Sequence, residues 1–382
     1  MKKLLLAFCL GALALAGCSS DKDVEPPAKL VDIKSNMKIH KLWSEGLGGH
    51  KTVHLRLALQ PRVDEGVVYA ASHKGVVYAF NAASGKELWH TKTKLELSAG
   101  PAVGEGVVVA GSSGGEIVVL DAKTGKEHWR HAVSGEVLAA PLVARGLVIV
   151  RTVDGRLQAL SLQNAEQRWA VEEQVPRLSL RGTAPPILSG DAVISGADDG
   201  KLLAVDVNTG ETLWDTVISA PHGRTELERL VDIDSAPHVG GTDVFVVGFQ
   251  GRAAMLALDS GQIWWARDLS SYRGFDMDDS NLYISNGDSI VVAMRRADGA
   301  DQWQQNALKR RGLTAPALDG DALVIGDFEG YVHWLKKDTG EIIARASTDG
   351  DRITNAPVVA DGRVFVQTDK GKLYAFEVKK KS

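Results

Sequence analysis

One phrase of about ten residues is written repeatedly along this chain, and it constrains the fold more than any other feature. FNAASGKELW ends at Trp89, LDAKTGKEHW at Trp129 and VDVNTGETLW at Trp214. Tryptophans at positions 89, 129, 169, 214, 265 and 303 recur about every forty residues. Trp89, Trp129, Trp214 and Trp265 each follow a Ser/Thr-Gly pair by four residues; Ala165 replaces the glycine ahead of Trp169, and Asp298-Gly299 stands ahead of Trp303. A second phrase opens each unit at Pro61, Pro101, Pro141, Pro185, Pro237, Pro316 and Pro357, with Phe275 in the proline's place once, which makes eight units. A fixed period of this length marks an architecture in which each unit buries its apolar face only by stacking on the next.

Within a unit the apolar runs are strand-sized. From Gly100 the chain reads GPAV, GVVVAGSSG, GEIVVLDAKTG and KEHWRHAV, valine-rich runs separated by glycine-containing turns. This is hairpin patterning, and no stretch after the N-terminal run keeps a helical period for three turns. Four short antiparallel strands in about forty residues make a β-propeller blade; the Trp-Asp and Gly-His signatures of WD40 repeats do not recur. The last unit, residues 356–378, stops before any tryptophan strand, while HKLWSEG (40–46) parallels KELWHTK (86–92). The chain is therefore expected to be all-β: an eight-bladed β-propeller of four-stranded antiparallel blades over residues 39–379. The N-terminal strand, with Trp43, should pair with the last three strands and close the ring, covering an edge that would otherwise be open.

At the N-terminus Lys2 and Lys3 precede LLLAFCLGALALA, an apolar run too short to span a bilayer as a permanent helix. It ends in Leu15-Ala16-Gly17-Cys18, which is similar to a bacterial lipobox; the alternative is an ordinary secretory signal with an incidental cysteine. On the lipobox reading residues 1–17 are a lipoprotein signal peptide and Cys18 carries the acyl chains, palmitate among them. Residues 18–38, polar with Pro26 and Pro27, would be the lipidated N-terminus and a flexible tether. Ser19 in place of an aspartate after the cysteine implies, by the same resemblance, a lipid-anchored protein on the periplasmic face of the outer membrane. Cys9 leaves with the signal and Cys18 is spent on lipid, so no thiol is left for a disulfide or a nucleophile. A net charge of −4 gives no reason to expect nucleic acid.

Three short motifs carry little chemistry. Gly111-Ser112-Ser113-Gly114-Gly115 matches G-x-S-x-G, but in a turn between strands rather than the strand-to-helix turn a nucleophile elbow needs. His128 and His131 flank Trp129 without the further ligands of a metal site. DMDDSN (276–281) has the carboxylates of a calcium loop but neither its glycine nor its final glutamate. All three are read as solvated strand or turn, and no catalytic, cofactor or metal residue is assigned.

The Thr-Gly-x-x-x-Trp phrase resembles the tryptophan-docking motif of the quinoprotein-type propellers, among them alcohol dehydrogenases that use pyrroloquinoline quinone. The resemblance implies that Trp43, Trp89, Trp129, Trp169, Trp214, Trp265 and Trp303 sit on outer strands and wedge against the next blade. Burying an indole stabilises by roughly 2–3 kcal/mol and needs no cofactor. The quinone enzymes are longer and share a vicinal disulfide that this chain cannot form; a quinoprotein-like enzyme or ligand-binding propeller is the alternative reading. Ala165 and Ala344, standing where a turn glycine and a tryptophan are expected, should loosen single blades.

Irregular spacing locates the candidate binding surface. Pro101 comes twelve positions after Trp89 and Pro141 twelve after Trp129, but Pro185 comes sixteen after Trp169 and Pro237 twenty-three after Trp214. The two long connections are consecutive and lie on one face. The first carries PRLSLRG (176–182) and the second TELERLVDIDSAP (225–237). Leucines ringed by charge suggest an interaction patch; alternatively they fold under and complete the core while Asp232 and Asp234 satisfy turn amides. Together, the lipobox, tether, propeller and the phrases LSLRG and RLVDIDSAP resemble the BamB family, lipoprotein subunits of the outer-membrane β-barrel assembly (BAM) complex. That resemblance implies a non-enzymatic scaffold, monomeric within a hetero-oligomer, that assists folding and insertion of outer-membrane proteins. It also implies that these loops bind the periplasmic POTRA domains of BamA, through Leu178, Leu180 and Arg181 in one segment and Asp232 and Asp234 in the other. Strand addition of unfolded outer-membrane proteins at blade edges is a further possibility.

Overall fold

The computed structural model describes residues 25–33, 37–49 and 57–380; residues 1–17 and Cys18 lie outside them. The strands of the described residues form eight four-stranded antiparallel sheets. The first blade is built from Arg62–Asp64, Val67–Ser72, Val76–Asn81 and Glu87–Lys92, and six more follow in chain order. The eighth takes Val358–Ala360, Arg363–Thr368 and Lys372–Lys380 from the C-terminus and Met37–Gly46 from the N-terminus. Met37 pairs with Lys380 and Gly46 with Lys372, the ring closure expected from the repeat.

Each sheet is covered on both faces by its neighbours, so its middle strands read as unbroken apolar runs rather than alternating ones. Val107–Ser112 and Leu147–Arg151 are buried throughout. The core is correspondingly divided into layers between blades; Val109 and Val119 of the second blade meet Val148, Val150 and Leu160 of the third. Antiparallel order also fixes the two faces of the ring. Outer-to-inner connections and second-to-third-strand turns lie on one face, here the loop face, and the Ser/Thr-Gly turns lie on the other.

The tryptophans hold successive blades together as their spacing implies. Each indole N–H donates to a backbone carbonyl of the following blade: Trp43 to Ala82 (3.1 Å), Trp89 to Ala122 (3.0 Å), Trp129 to Leu162 (2.8 Å) and Trp169 to Val207 (2.8 Å). Trp214 donates to Leu258 (2.9 Å), Trp265 to Arg296 (3.0 Å) and Trp303 to Lys337 (3.0 Å). The ring then lies on the turn glycine of that following blade. A Cβ on Gly85, Gly125, Gly210, Gly261, Gly299 or Gly340 would come within 2.5–2.9 Å of the preceding blade's indole. The turn that precedes a tryptophan in sequence therefore receives a different tryptophan in space.

In the third blade that turn position is Ala165, held at φ 61°. A left-handed L-residue costs about 1–2 kcal/mol, so Ala165→Gly is expected to raise stability by about 1 kcal/mol. The denaturation midpoint measures it; an unchanged or lower midpoint would show that the alanine sits there without strain.

Ala344 was expected to loosen its blade, and the structure corrects this. The eighth blade takes its third and outer strands from opposite ends of the chain, so no turn joins them and a tryptophan at 344 would have no glycine to lie on. The large and small partners are instead exchanged across the strand pair: in the first blade Ala79 faces Trp89, whereas in the seventh Trp334 faces Ala344. Trp334 is fully buried, meets Phe376 edge-on at 6.2 Å and donates to Asp319 (3.3 Å). The volume is filled from the neighbouring strand.

The expected flexible tether, residues 18–38, lies partly outside the described residues, which include 25–33 and 37–38 of it. Residues 25–33 lie against the sixth and seventh blades, where the Ala28 N–H donates to Lys309 O (3.0 Å) and Leu30 packs on a cluster containing Leu308 and Leu313.

Candidate interaction face

The two longest connections leave the outer strands of the third and fourth blades, Gln167–Glu172 and Thr212–Val217. In the first, Val175, Arg177, Leu178 and Arg181 are exposed, Leu178 at 42%, and Leu180 is half-buried. Arg181 pairs with Glu136 of the preceding connection (3.1 Å). In the second, Thr225 and Glu228 close a single turn reciprocally. The Glu228 carboxylate accepts the N–H groups of Arg224 (2.7 Å) and Thr225 (3.0 Å), and the Glu228 N–H donates to Thr225 Oγ1 (3.2 Å), a capping-box arrangement. This turn lifts Leu227 to the surface at 67% exposure.

After Leu227 the chain descends. Leu230, Val231 and Ile233 are buried, and Asp232 pairs with Phe249 of the fifth blade. The two sequence readings of these connections thus apply to different halves, with Leu178 and Leu227 outside and Leu230, Val231 and Ile233 in the core.

Asp232 and Asp234 were expected on the contact surface, but they are 1% and 6% exposed. Asp232 Oδ2 accepts the Leu180 N–H (3.1 Å) and so ties one long connection to the other. Gly182 rests on Asp234 closely enough that a Cβ would come within 2.9 Å of the carboxylate. Below them lie Asp198 and Arg151, both buried, with Arg151 Nη2 3.4 Å from Asp198 Oδ1. Burial first, then the charges of Asp234 and Asp198, push the Asp232 carboxyl up to about 9. Asp198 is raised as well by burial, with Arg151 opposing.

Burial and the neighbouring carboxylates thus make the cluster of Asp232, Asp234 and Asp198 hold a proton in the fold at a pH where an aspartate of the unfolded chain, ionising near 4, has lost it. The folded state holds the extra proton across that interval, so stability fully present below about pH 4 is lost as pH rises toward 9. Asp232→Asn keeps an acceptor for the Leu180 N–H without the ionisation. Its melting midpoint is expected to fall less than wild type between pH 5 and 9; parallel pH profiles would contradict the assignment.

Sequence reasoning missed Leu227, Glu136, Arg151 and Asp198. The one available signal was Arg151, a charge inside the apolar strand LVIVR. The other motifs are structural. Ser112 accepts the Glu116 N–H (2.9 Å) between two strands, and His128 is exposed 3.6 Å from Asp121. Asp278 accepts the N–H groups of Ser280 and Asn281 and pairs with Lys337 (2.9 Å), joining the sixth and seventh blades.

The rim offers strand edges, but each of the eight outer strands is bulged one residue before the docking position. Leu42, Leu88, Leu213 and Trp264 sit at those bulges and project to solvent. A bulge bends an edge and interrupts the ladder that an added strand would need. The central channel holds a cavity of about 440 Å³ whose charged lining includes Arg62, Arg181, Arg273, Asp234 and Asp276.

The chain matches a family model described as outer membrane protein assembly factor BamB over residues 73–305 and 287–381. It is 45% identical over 369 residues to the outer membrane protein assembly factor BamB of Pseudomonas aeruginosa, covering 96% of this chain and 97% of that one. The crystal structure of BamB from Moraxella catarrhalis superposes with a TM-score of 0.81 at 28% identity, over 89% of this chain and 100% of that one. Quinohemoprotein alcohol dehydrogenase from Comamonas testosteroni superposes at 0.73 with 14% identity, over 91% and 78%, a likeness of fold alone.

Proposed function

Because the chain belongs to the BamB family of outer membrane protein assembly factors, we propose that it is a non-enzymatic scaffold subunit of the outer-membrane β-barrel assembly complex. It assists the folding and insertion of outer-membrane proteins by holding other components in place. The periplasmic POTRA domains of BamA are its partner, and acyl chains on Cys18 hold it to the periplasmic face of the outer membrane.

The observation that carries this reading is the loop face, where exposed Leu178, Leu227 and Arg181 stand on two adjacent connections tied by the Leu180–Asp232 bond. Apolar anchors beside an oriented charge, on connections braced by that bond, are what a protein-binding patch requires. The bulged rim argues for this face over strand addition of unfolded substrates. Affinity capture from solubilised envelopes tests the proposal: a barrel protein with periplasmic domains should co-purify, and its absence would count against the scaffold role. Uptake of pyrroloquinoline quinone with calcium, read from its absorption, would favour the quinoprotein alternative instead.

A further inference from the structure

Residues 25–33, EPPAKLVDI, contain no helix or strand, yet three arginines hold their backbone. Arg310 Nη1 donates to Glu25 O (2.8 Å), Arg311 Nη1 to Ala28 O (3.1 Å) and Arg345 Nη1 to Val31 O (3.2 Å). The three carbonyls are spaced by three residues, the repeat of a polyproline II helix, and Pro26 and Pro27 supply its backbone angle. The Glu25 carboxylate also meets Arg310 (3.0 Å) and Lys309 (3.8 Å).

The groove is organised from within the propeller. Arg311 is buried and fixed by Asp327 (2.7 Å) and by Glu329, and Arg345 Nε donates to His333 Nδ1 (3.2 Å). Guanidinium groups held in this way lose little further freedom when they donate to a strap.

Glu25 lies against Lys309 and Arg310, in the outer-to-inner connection between the sixth and seventh blades. That connection belongs to the loop face. Val31 lies farther along, against the outer strand Ile342–Ser347. The chain therefore leaves the propeller toward its N-terminus on the same face as the two long connections.

We propose that this groove is a mount for the membrane anchor: by gripping residues 25–33 it makes the loop face, with its two long connections, the face turned toward the bilayer. The inference rests on the reading of Cys18 as the lipidated residue. From Cys18 to the outer strand at Met37 are nineteen residue steps, a reach of up to about 65 Å when extended. From Cys18 to Glu25 are only seven steps, about 25 Å. The longer span would let any face of the ring meet the membrane, whereas the shorter one admits only the neighbourhood of the exit.

The lipidated full chain, bound to liposomes doped with nitroxide lipid, provides the test. Fluorophores are placed through Asp288→Cys on the loop face and Asp279→Cys on the opposite face, both exposed and both in the sixth blade. The Asp288→Cys probe is expected to be quenched several-fold more than the Asp279→Cys probe. Replacing residues 25–33 by a glycine-serine segment of equal length should abolish the difference while every groove residue stays in place. Equal quenching in the parent chain, or a difference that survives the replacement, overturns the mount. A protein that does not bind the liposomes and retains an unmodified Cys18 by mass spectrometry overturns the lipid reading and the mount with it.

Discussion

A chain that begins at Leu47 is expected to lose cooperative folding at temperatures where the full protein is stable. Met37–Gly46 makes nine register pairs with Lys372–Lys380, and its loss turns the eighth blade into a three-stranded sheet with an open edge. Trp43 goes with it. That indole is buried between Phe80 (6.4 Å) and Phe365 (5.9 Å), lies on Gly85 and donates to Ala82, so its loss also opens the seam between the last blade and the first. Truncating a buried tryptophan alone costs about 3–5 kcal/mol, against a total stability of roughly 5–15 kcal/mol for a typical domain. Trp43→Ala should therefore lower the melting midpoint yet leave a folded ring, whereas removal of the strand should not. A chain beginning at residue 25 keeps every described contact and should melt like the parent. Equal midpoints for chains starting at 25 and at 47, followed by tryptophan fluorescence, would show that closure contributes nothing.

The same closure shows what was legible in the sequence. A period near forty residues with a tryptophan and a glycine turn specifies a blade, and the missing tryptophan strand at the C-terminus points to residues 40–46. Spacing within a repeat says nothing, however, about contacts between repeats. That Trp89 lies on Gly125, or that Trp334 replaces the indole absent at Ala344, depends on how neighbouring sheets meet. The long connections were found by length and composition, but an irregular segment has no period to separate its inner from its outer side chains. Leu227 and Leu230, three residues apart, therefore point to solvent and to core. Asp232 reads as a surface carboxylate until Arg151 and Asp198 are placed beneath it. Residues 25–33 look like a flexible tether because the arginines that hold them lie about 280–315 positions away and bind backbone carbonyls, which leave no mark in the sequence.

Substitutions on the loop face should then separate contact from support. Leu178 and Leu227 are exposed, and the exposed Arg181–Glu136 pair contributes about 0–1 kcal/mol to the fold. Leu227→Ala and Arg181→Ala should therefore leave melting near the parent value. If these side chains anchor the POTRA partner, each should weaken its capture by about 2 kcal/mol, roughly thirtyfold. Asp232→Ala acts differently. It leaves the Leu180 N–H without its acceptor and removes the tie between the two connections, so it should lower both the melting midpoint and the affinity. Asp232→Asn keeps the tie and should bind like the parent. Ser134→Ala, in a short connection of the same face where the exposed side chain meets Thr152 at 3.3 Å and Asp154, should change neither quantity. Parent-like capture by both Leu227→Ala and Arg181→Ala would place the contact elsewhere on the ring. Unfolding of both would mean that these exposed side chains support the propeller, and a partner would then have to be sought on another face.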